Sequence, residues 1–235
     1  IAALRNNGRA LEFASDTLKA DREVVLEAIQ DPNRSGLQFA SDTLKADREL
    51  VLEAIRNRGI ELEYASDTLK ADREVVLEAV RNYGRALQYA DDTLKADREV
   101  VLEAVRDDGD NLKYADDTLK ADREVVLEAV KRLRGGFCHA LEYASDSLKE
   151  DHEVVLEAVR NYGGALEYAS DSLKADREIV LEAVKNNGSV LEFASDSLKA
   201  DREVVIEAIR NKSYSILYAS EELQNDPELK KLAEG

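Results

Sequence analysis

Apolar positions recur along the chain in two alternating densities. In DREVVLEAI, the residues Val24, Val25, Leu26, Ala28 and Ile29 sweep an arc of roughly 200° at helical pitch, with Glu23 and Glu27 turned outward. So wide an apolar arc predicts a helix flanked on two sides. In the segment before it, Ala10, Leu11, Phe13 and Ala14 cover roughly 160° with Glu12 facing away, which predicts a shorter helix with one exposed face. The stretch SDTLKA reads as the linker between the two helices.

The punctuation agrees with this reading. Asp21 is a good N-cap, Glu23 meets the positive end of the helix dipole, and the last copy writes Asp226-Pro227, with proline at the first helical position. Gly8, Gly59, Gly84, Gly109, Gly163 and Gly188 follow the long helices, where a left-handed C-terminal residue is expected. The Asp that opens each long helix recurs nine times from Asp21 to Asp226, at spacings of 25 residues except for 26 after Asp21 and 29 after Asp122. A fixed period of this size marks a repeat architecture. Helices of two to three turns are unstable alone and must be held by their neighbours. The fold expected is therefore all-α: an α-solenoid of two-helix repeats of about 25 residues, in a superhelical array. One array spans residues 1–235, with 1–7 as the tail of a preceding truncated unit, 8–225 as tandem units and 226–235 as a polar C-terminal capping helix.

The recurring motif D-x-E-x-V-L-x-A-V, then G, then A-L-x-[FY]-A-S-x-x-L-K is carried by segments such as Asp201 to Val205 and Asn187 to Lys199. It resembles a repeat family catalogued as domain of unknown function 4116, over essentially all 235 residues. The resemblance implies a tandem helical array, often within a larger protein, and brings no catalytic residues to carry over.

Composition narrows the partners. The net charge of −17 disfavours nucleic acid and acidic membrane surfaces, since both are bound through Lys and Arg. Spread over nine copies it comes to nearly two negative charges per repeat, so the acidity belongs to the repeat and is no localised patch. No run of apolar residues reaches membrane-spanning length. The single cysteine, Cys138, cannot form an internal disulfide and suits an intracellular, reducing compartment.

Candidate chemistry is sparse. The ladder of Lys19, Lys45, Lys70 and their equivalents beside Asp16, Asp42 and Asp67 reads as capping plus solvated ion pairs. The aromatic that recurs once per repeat, from Phe13 to Tyr218, lies within the apolar arc and reads as core. Asp107, Asp108 and Asp110 lack the alternate spacing and bidentate Glu of a calcium loop, so no metal or other cofactor is expected. His139 follows Cys138 directly, which points the two side chains apart on a helix, and His152 fills a slot that is Arg elsewhere. No enzyme is expected.

Variation concentrates at the turn before the short helix: Asn6-Asn7, Asn57-Arg58, Asn82-Tyr83, Asp107-Asp108, Asn161-Tyr162, Asn186-Asn187 and Asn211-Lys212. Variation along one edge of a uniform frame is the mark of a recognition edge. The function expected is a non-enzymatic scaffold, monomeric, that binds a protein or peptide through this edge or through a curved face. Arg58, Tyr83, Asp107, Asp108 and Tyr162 are its candidate contacts. The alternative is a structural spacer or accessory repeat module within a larger protein.

One copy is longer than the rest. Where others read AVRNYGRALQY, this one reads AVKRLRGGFCHALEY, four residues more. Arg132 to Gly136 reproduces the RLRGG end of ubiquitin, yet lies inside the chain. Val126, Ala129, Val130 and Leu133 keep the helical stripe on one side, and Phe137, Ala140, Leu141 and Ala144 keep it on the other. Both helices are thus expected to extend, with the glycines as the turn and Leu133 touching Phe137, raising a basic knob that adds Arg132 and Arg134 to the candidate contacts.

Overall fold

A computed structural model describes residues 8–30 and 36–235. Residues 1–7, including the expected truncated tail and Asn6-Asn7, lie outside the described residues, as does most of the one-residue insertion near position 31. The chain divides into two compact units, Ile1–Leu119 and Lys120–Gly235. In both, the architecture is an all-α array of repeats of about 25 residues.

Each repeat holds three helical pieces where the pattern suggested two. In one copy these are a 3₁₀ helix Gly84–Tyr89, a one-turn α-helix Asp92–Lys95 and a ten-residue α-helix Arg98–Asp107. The linker is itself a helical turn because Ser or Asp caps it: Asp91 Oδ1 accepts from Thr93 N–H at 3.0 Å. The short segment winds as 3₁₀ because it has only six residues between extended Tyr83 and extended Ala90, and i→i+3 bonds close sooner than i→i+4 bonds. The long helix starts as expected, with Asp97 Oδ1 accepting from Glu99 N–H at 3.0 Å and Val100 N–H at 3.2 Å.

Two sets of contacts stack the repeats. In the first unit, Ser41, Ser66, Asp91 and Asp116 each donate a backbone N–H to the carbonyl of Lys19, Lys45, Lys70 and Lys95, all at 2.9 Å. In the second unit, Ser145, Ser170, Ser195 and Ser220 do the same to Lys120, Lys149, Lys174 and Lys199, at 2.8–3.0 Å. Each rung satisfies a carbonyl that its one-turn helix leaves open. The apolar core lies between neighbouring long helices and the 3₁₀ segments, where Val75, Val76, Ala79, Val80 and Leu87 have no exposed surface.

The glycines after the long helices serve a different purpose from the one expected. Among the described residues, positive φ occurs only at Gly135 and Gly136. The chain turns instead through extended C-cap residues such as Tyr83, at φ −154° and ψ 97°. Glycine is needed because the long helix that follows in the same repeat leaves no room: a Cβ on Gly59 would sit 2.5 Å from the Ala79 carbonyl oxygen, and one on Gly163 would sit 2.7 Å from that of Ala183.

The long copy also departs from expectation. Its helices do not extend: the long helix stops at Val130, two residues shorter than in sister copies, and the next helix begins at Ala140. Between them Arg134 and Phe137 form an antiparallel bridge around Gly135 (φ 68°) and Gly136 (φ 87°). Two consecutive residues at positive φ make a tight hairpin turn that a Gly-Gly pair adopts without steric cost, so the chain reverses without an added helical turn. Leu133 and Phe137 are both exposed on this hairpin, at 44% and 58%.

Candidate functional site

The variable turn has two positions with different partners. The first residue of several pairs is a staple between repeats, whereas Asn161 bonds Glu157 of its own helix. Asn82 donates Nδ2–H to the Arg56 carbonyl at 3.1 Å and accepts from Gly59 N–H at 2.7 Å. Asn186 does the same with Arg160 and Gly163, and Asn211 with Lys185 and Gly188. Asp107 keeps the acceptor half, taking Gly84 N–H at 3.0 Å. Asp108 accepts from Asp110 N–H at 3.1 Å and so shapes its own turn. These two candidate contacts are therefore engaged in holding the backbone. Sequence reasoning missed the staple, whose signal was the recurrence of Asn or Asp two residues before each glycine.

The second positions hold the other candidates in two places. In the first unit, Arg58 and Tyr83 line one cleft of about 350 Å³ with Asn57, Gly59, Ile60 and Asn82. Arg58 Nη1 stands 3.7 Å from Oε1 of Glu61, a carboxylate only 3% exposed. Glu61, Asn111 and Ser215, the buried polar side chains among the described residues, all occupy the slot that is Ala at positions 10, 86, 140 and 165.

In the second unit the hairpin builds an aromatic cluster. The Tyr162 ring lies over Gly164, where a side chain would collide with it. From there it meets Phe137 edge-on at 5.9 Å and His139 at 5.8 Å. His139 in turn stacks nearly parallel to Phe137 at 6.5 Å and meets Tyr168 at 6.4 Å. Arg132 and Arg134 stand exposed on the same hairpin, Arg132 with its Nη2 2.8 Å from Glu128 Oε1. Tyr162, Arg132 and Arg134 thus share one patch, joined by Phe137 and His139. Cys138 is buried within it and its thiol donates to the Ala129 carbonyl at 3.6 Å.

The recurring aromatic is not core, contrary to expectation. Phe13 is 86% exposed, and the others are half-buried with one edge at the surface. Burial, together with a hydrogen bond to Glu63 from the preceding repeat, pushes the Tyr89 hydroxyl up to about 12. Burial and the nearby Glu142 carboxylate do the same to Tyr168, also to about 12. Tyr114 instead meets cations: Arg85 Nε–H donates to its hydroxyl at 2.9 Å and Lys113 Nζ sits 4.9 Å from the ring centroid. The apolar arc placed these residues correctly on the helix, but the short segment has neighbours on one side only.

A charged ladder runs along the starts of the long helices. Arg73 donates Nε–H to Asp97 Oδ2 at 2.8 Å and also pairs with Glu99. The same arrangement joins Arg48 to Asp72 and Glu74, Arg123 to Asp151 and Glu153, and Arg177 to Asp201 and Glu203. Each capping Asp thus serves its own helix through Oδ1 and the previous repeat through Oδ2. The Arg73 hydrogen bond holds the Asp97 carboxyl below the usual range, and the Leu50 N–H does so for Asp47. His152 stands in the Arg slot with Nε2 3.8 Å from Asp176 Oδ2. The lysine ladder contributes less, through exposed pairs such as Lys95 with Asp92 at 3.0 Å.

The long-helix face carries shallow furrows at equivalent positions of both units, about 460 Å³ over Leu26 and Leu52 and about 440 Å³ over Leu181 and Ile206. Among the described residues, no helix is long and apolar enough to cross a membrane.

Fold and surface together define an all-α tandem-repeat array. The chain belongs to the family described as Domain of unknown function (DUF4116), whose repeats match residues 1–45, 33–70, 47–95, 72–120, 97–135, 122–174 and 176–224. No curated protein and no solved structure matches the chain.

Proposed function

We propose that the protein is a non-enzymatic helical-repeat scaffold that binds a protein or peptide along its turn edge, anchored at the hairpin of the long copy. One observation carries this reading. Among the described residues, the exposed large apolar side chains fall in the first described repeat (Phe13, Leu18), in the last (Tyr214, Leu217, Leu232) and on the hairpin (Leu133, Phe137). An apolar pair exposed between flanking repeats, rimmed by Lys131, Arg132 and Arg134 and backed by Tyr162, has the apolar centre and polar rim of an interaction patch. The acidic balance of −17 sets nucleic acid aside as the partner.

A photoreactive phenylalanine analogue at position 137 tests the reading, with the same analogue at exposed position 146 as control. Cross-linking to a single species from 137 alone, lost with Arg134→Ala and Tyr162→Ala at unchanged helicity, is the expected result. Equal yield from both positions overturns it. Absence of any cross-link, with repeat deletions changing only molecular length, favours the spacer reading.

A further inference from the structure

We propose that the hairpin is also a processing site, at which an endoprotease that requires a basic residue before the scissile bond cuts between Arg134 and Gly135. Residues 131–137 form the longest run of consecutive exposed positions among the described residues. The bridge that closes the hairpin is made of long bonds, Arg134 N–H to the Phe137 carbonyl at 3.3 Å and Phe137 N–H to the Arg134 carbonyl at 3.5 Å. A Cβ built on Gly135 or Gly136 meets nothing within 4 Å, so the backbone there is open to an approaching catalytic cleft. Proteases bind their substrates extended, and local opening is cheapest where few bonds and few buried contacts must be released.

Other basic residues offer poorer sites. Arg48, Arg73, Arg123 and Arg177 open long helices and are held by the carboxylate ladder. Arg56, Arg81 and Arg106 lie inside the last turn of theirs. On the hairpin itself, Arg134 directly precedes the open glycine pair, whereas Arg132 lies two residues earlier. A ubiquitin-directed protease would cut after Gly136, but such enzymes thread a free extended tail, and here the two glycines are bent into a turn with chain on both sides.

The cut consumes one water. Its oxygen joins the Arg134 carbonyl carbon as the new carboxylate, and the Gly135 nitrogen leaves as a new amine. The pieces stay together, because helix Arg123–Val130 on one side of the cut buries Val125, Val126, Ala129 and Val130 against helices Ala140–Tyr143 and His152–Asn161 on the other. What changes is the patch: Phe137 comes to lie two residues from a free, charged amine.

Limited digestion of the full chain with trypsin, followed by intact mass measurement, tests this. The first cut within the described residues is expected after Arg134, giving fragments 1–134 and 135–235 that co-elute in gel filtration and separate in denaturant. Arg134→Gln is expected to slow that cut by about tenfold or more, since a basic side chain in the primary pocket dominates such specificity, with the circular dichroism spectrum unchanged. A first cut at another described site, an unchanged rate in the variant, or cleavage after Gly136 by a deubiquitinase but not after Arg134 by trypsin overturns the proposal.

Discussion

Gly59→Ala separates two reasons for the glycine that recurs after each long helix. The added Cβ would stand 2.5 Å from the Ala79 carbonyl oxygen and 2.8 Å from Tyr83 Cβ, both at the end of the long helix of the same repeat. Carbon and carbonyl oxygen approach no closer than about 3.3 Å without repulsion, so the 3₁₀ segment and that helix must part locally by about 0.8 Å. Neither obstructing atom can rotate away. The same movement stretches the 2.7 Å bond from Gly59 N–H to Asn82 Oδ1 to the limit of hydrogen bonding. Overpacking costs about 1–3 kcal/mol and the weakened staple about 1 kcal/mol. The stiffer unfolded chain returns about 0.4–1 kcal/mol. The expected net loss is about 2–3 kcal/mol.

Urea denaturation followed by far-ultraviolet circular dichroism reads this as a lower midpoint at unchanged slope. Asn is the discriminating substitution. A left-handed requirement would accept it, whereas close approach makes Gly59→Asn at least as harmful as Gly59→Ala. At Gly135, where φ is 68° and space is open, the order reverses: Asn should be nearly neutral and Ala should cost about 1 kcal/mol. Should Gly59→Asn prove milder than Gly59→Ala, the close-approach account is wrong.

Asp97 and Arg73 share an ion pair but should not share a cost. Asp97→Ala removes the cap of its helix as well as the pair and should lower stability by about 1–2 kcal/mol. Arg73→Ala removes only a partner that is 45% exposed and should cost less than Asp97→Ala, which denaturation midpoints will rank. Because Asp47 and Asp97 are held below their ordinary pKa when folded, the unfolded chain binds more protons in acid. Stability should therefore be full above about pH 4 and fall as the pH drops further, with Asp97→Asn flattening that slope. Tyr89 and Tyr168 behave in the opposite sense. With folded values of about 12, the stability they contribute is present below pH 10 and lost between 10 and 12. Absorbance at the phenolate band should show a late-titrating fraction of the nine tyrosines that Glu63→Gln reduces.

What the sequence revealed and what it concealed follow from distance along the chain. The all-α class, the period and the Asp caps were legible because each rests on residues within a few positions of one another, as with Asp97, Glu99 and Val100. The Asn staple and the Arg ladder were not, because they join residues 23 to 30 positions apart, such as Gly59 with Asn82 and Arg123 with Glu153. In a repeat, a residue that serves its neighbour looks the same as one that serves its own helix. The aromatic row was misread for a related cause: an apolar arc shows which side of a helix is greasy, but not whether anything covers it. The hairpin was misread because Leu133 and Phe137 satisfy a helical stripe, and only the paired glycines point elsewhere.

That same logic sets the long copy apart from its neighbours. Elsewhere each slot is constrained twice, by its own repeat and by the next, so a substitution that suits a partner disturbs the stack. At the hairpin these double constraints are relaxed. Cys138 fills a slot that is glycine in most copies, and Asn161, whose counterparts reach back to the previous repeat, bonds the Glu157 carbonyl four residues earlier at 2.9 Å. The preceding helix has given up its last turn. Residues 131–137 are all exposed, while Cys138 behind them is buried against the end of the long helix. A hairpin that merely tolerated insertion would be small and polar; this one carries Leu133, Phe137 and three basic side chains on an acidic protein, with Tyr162 bent over Gly164 to meet it.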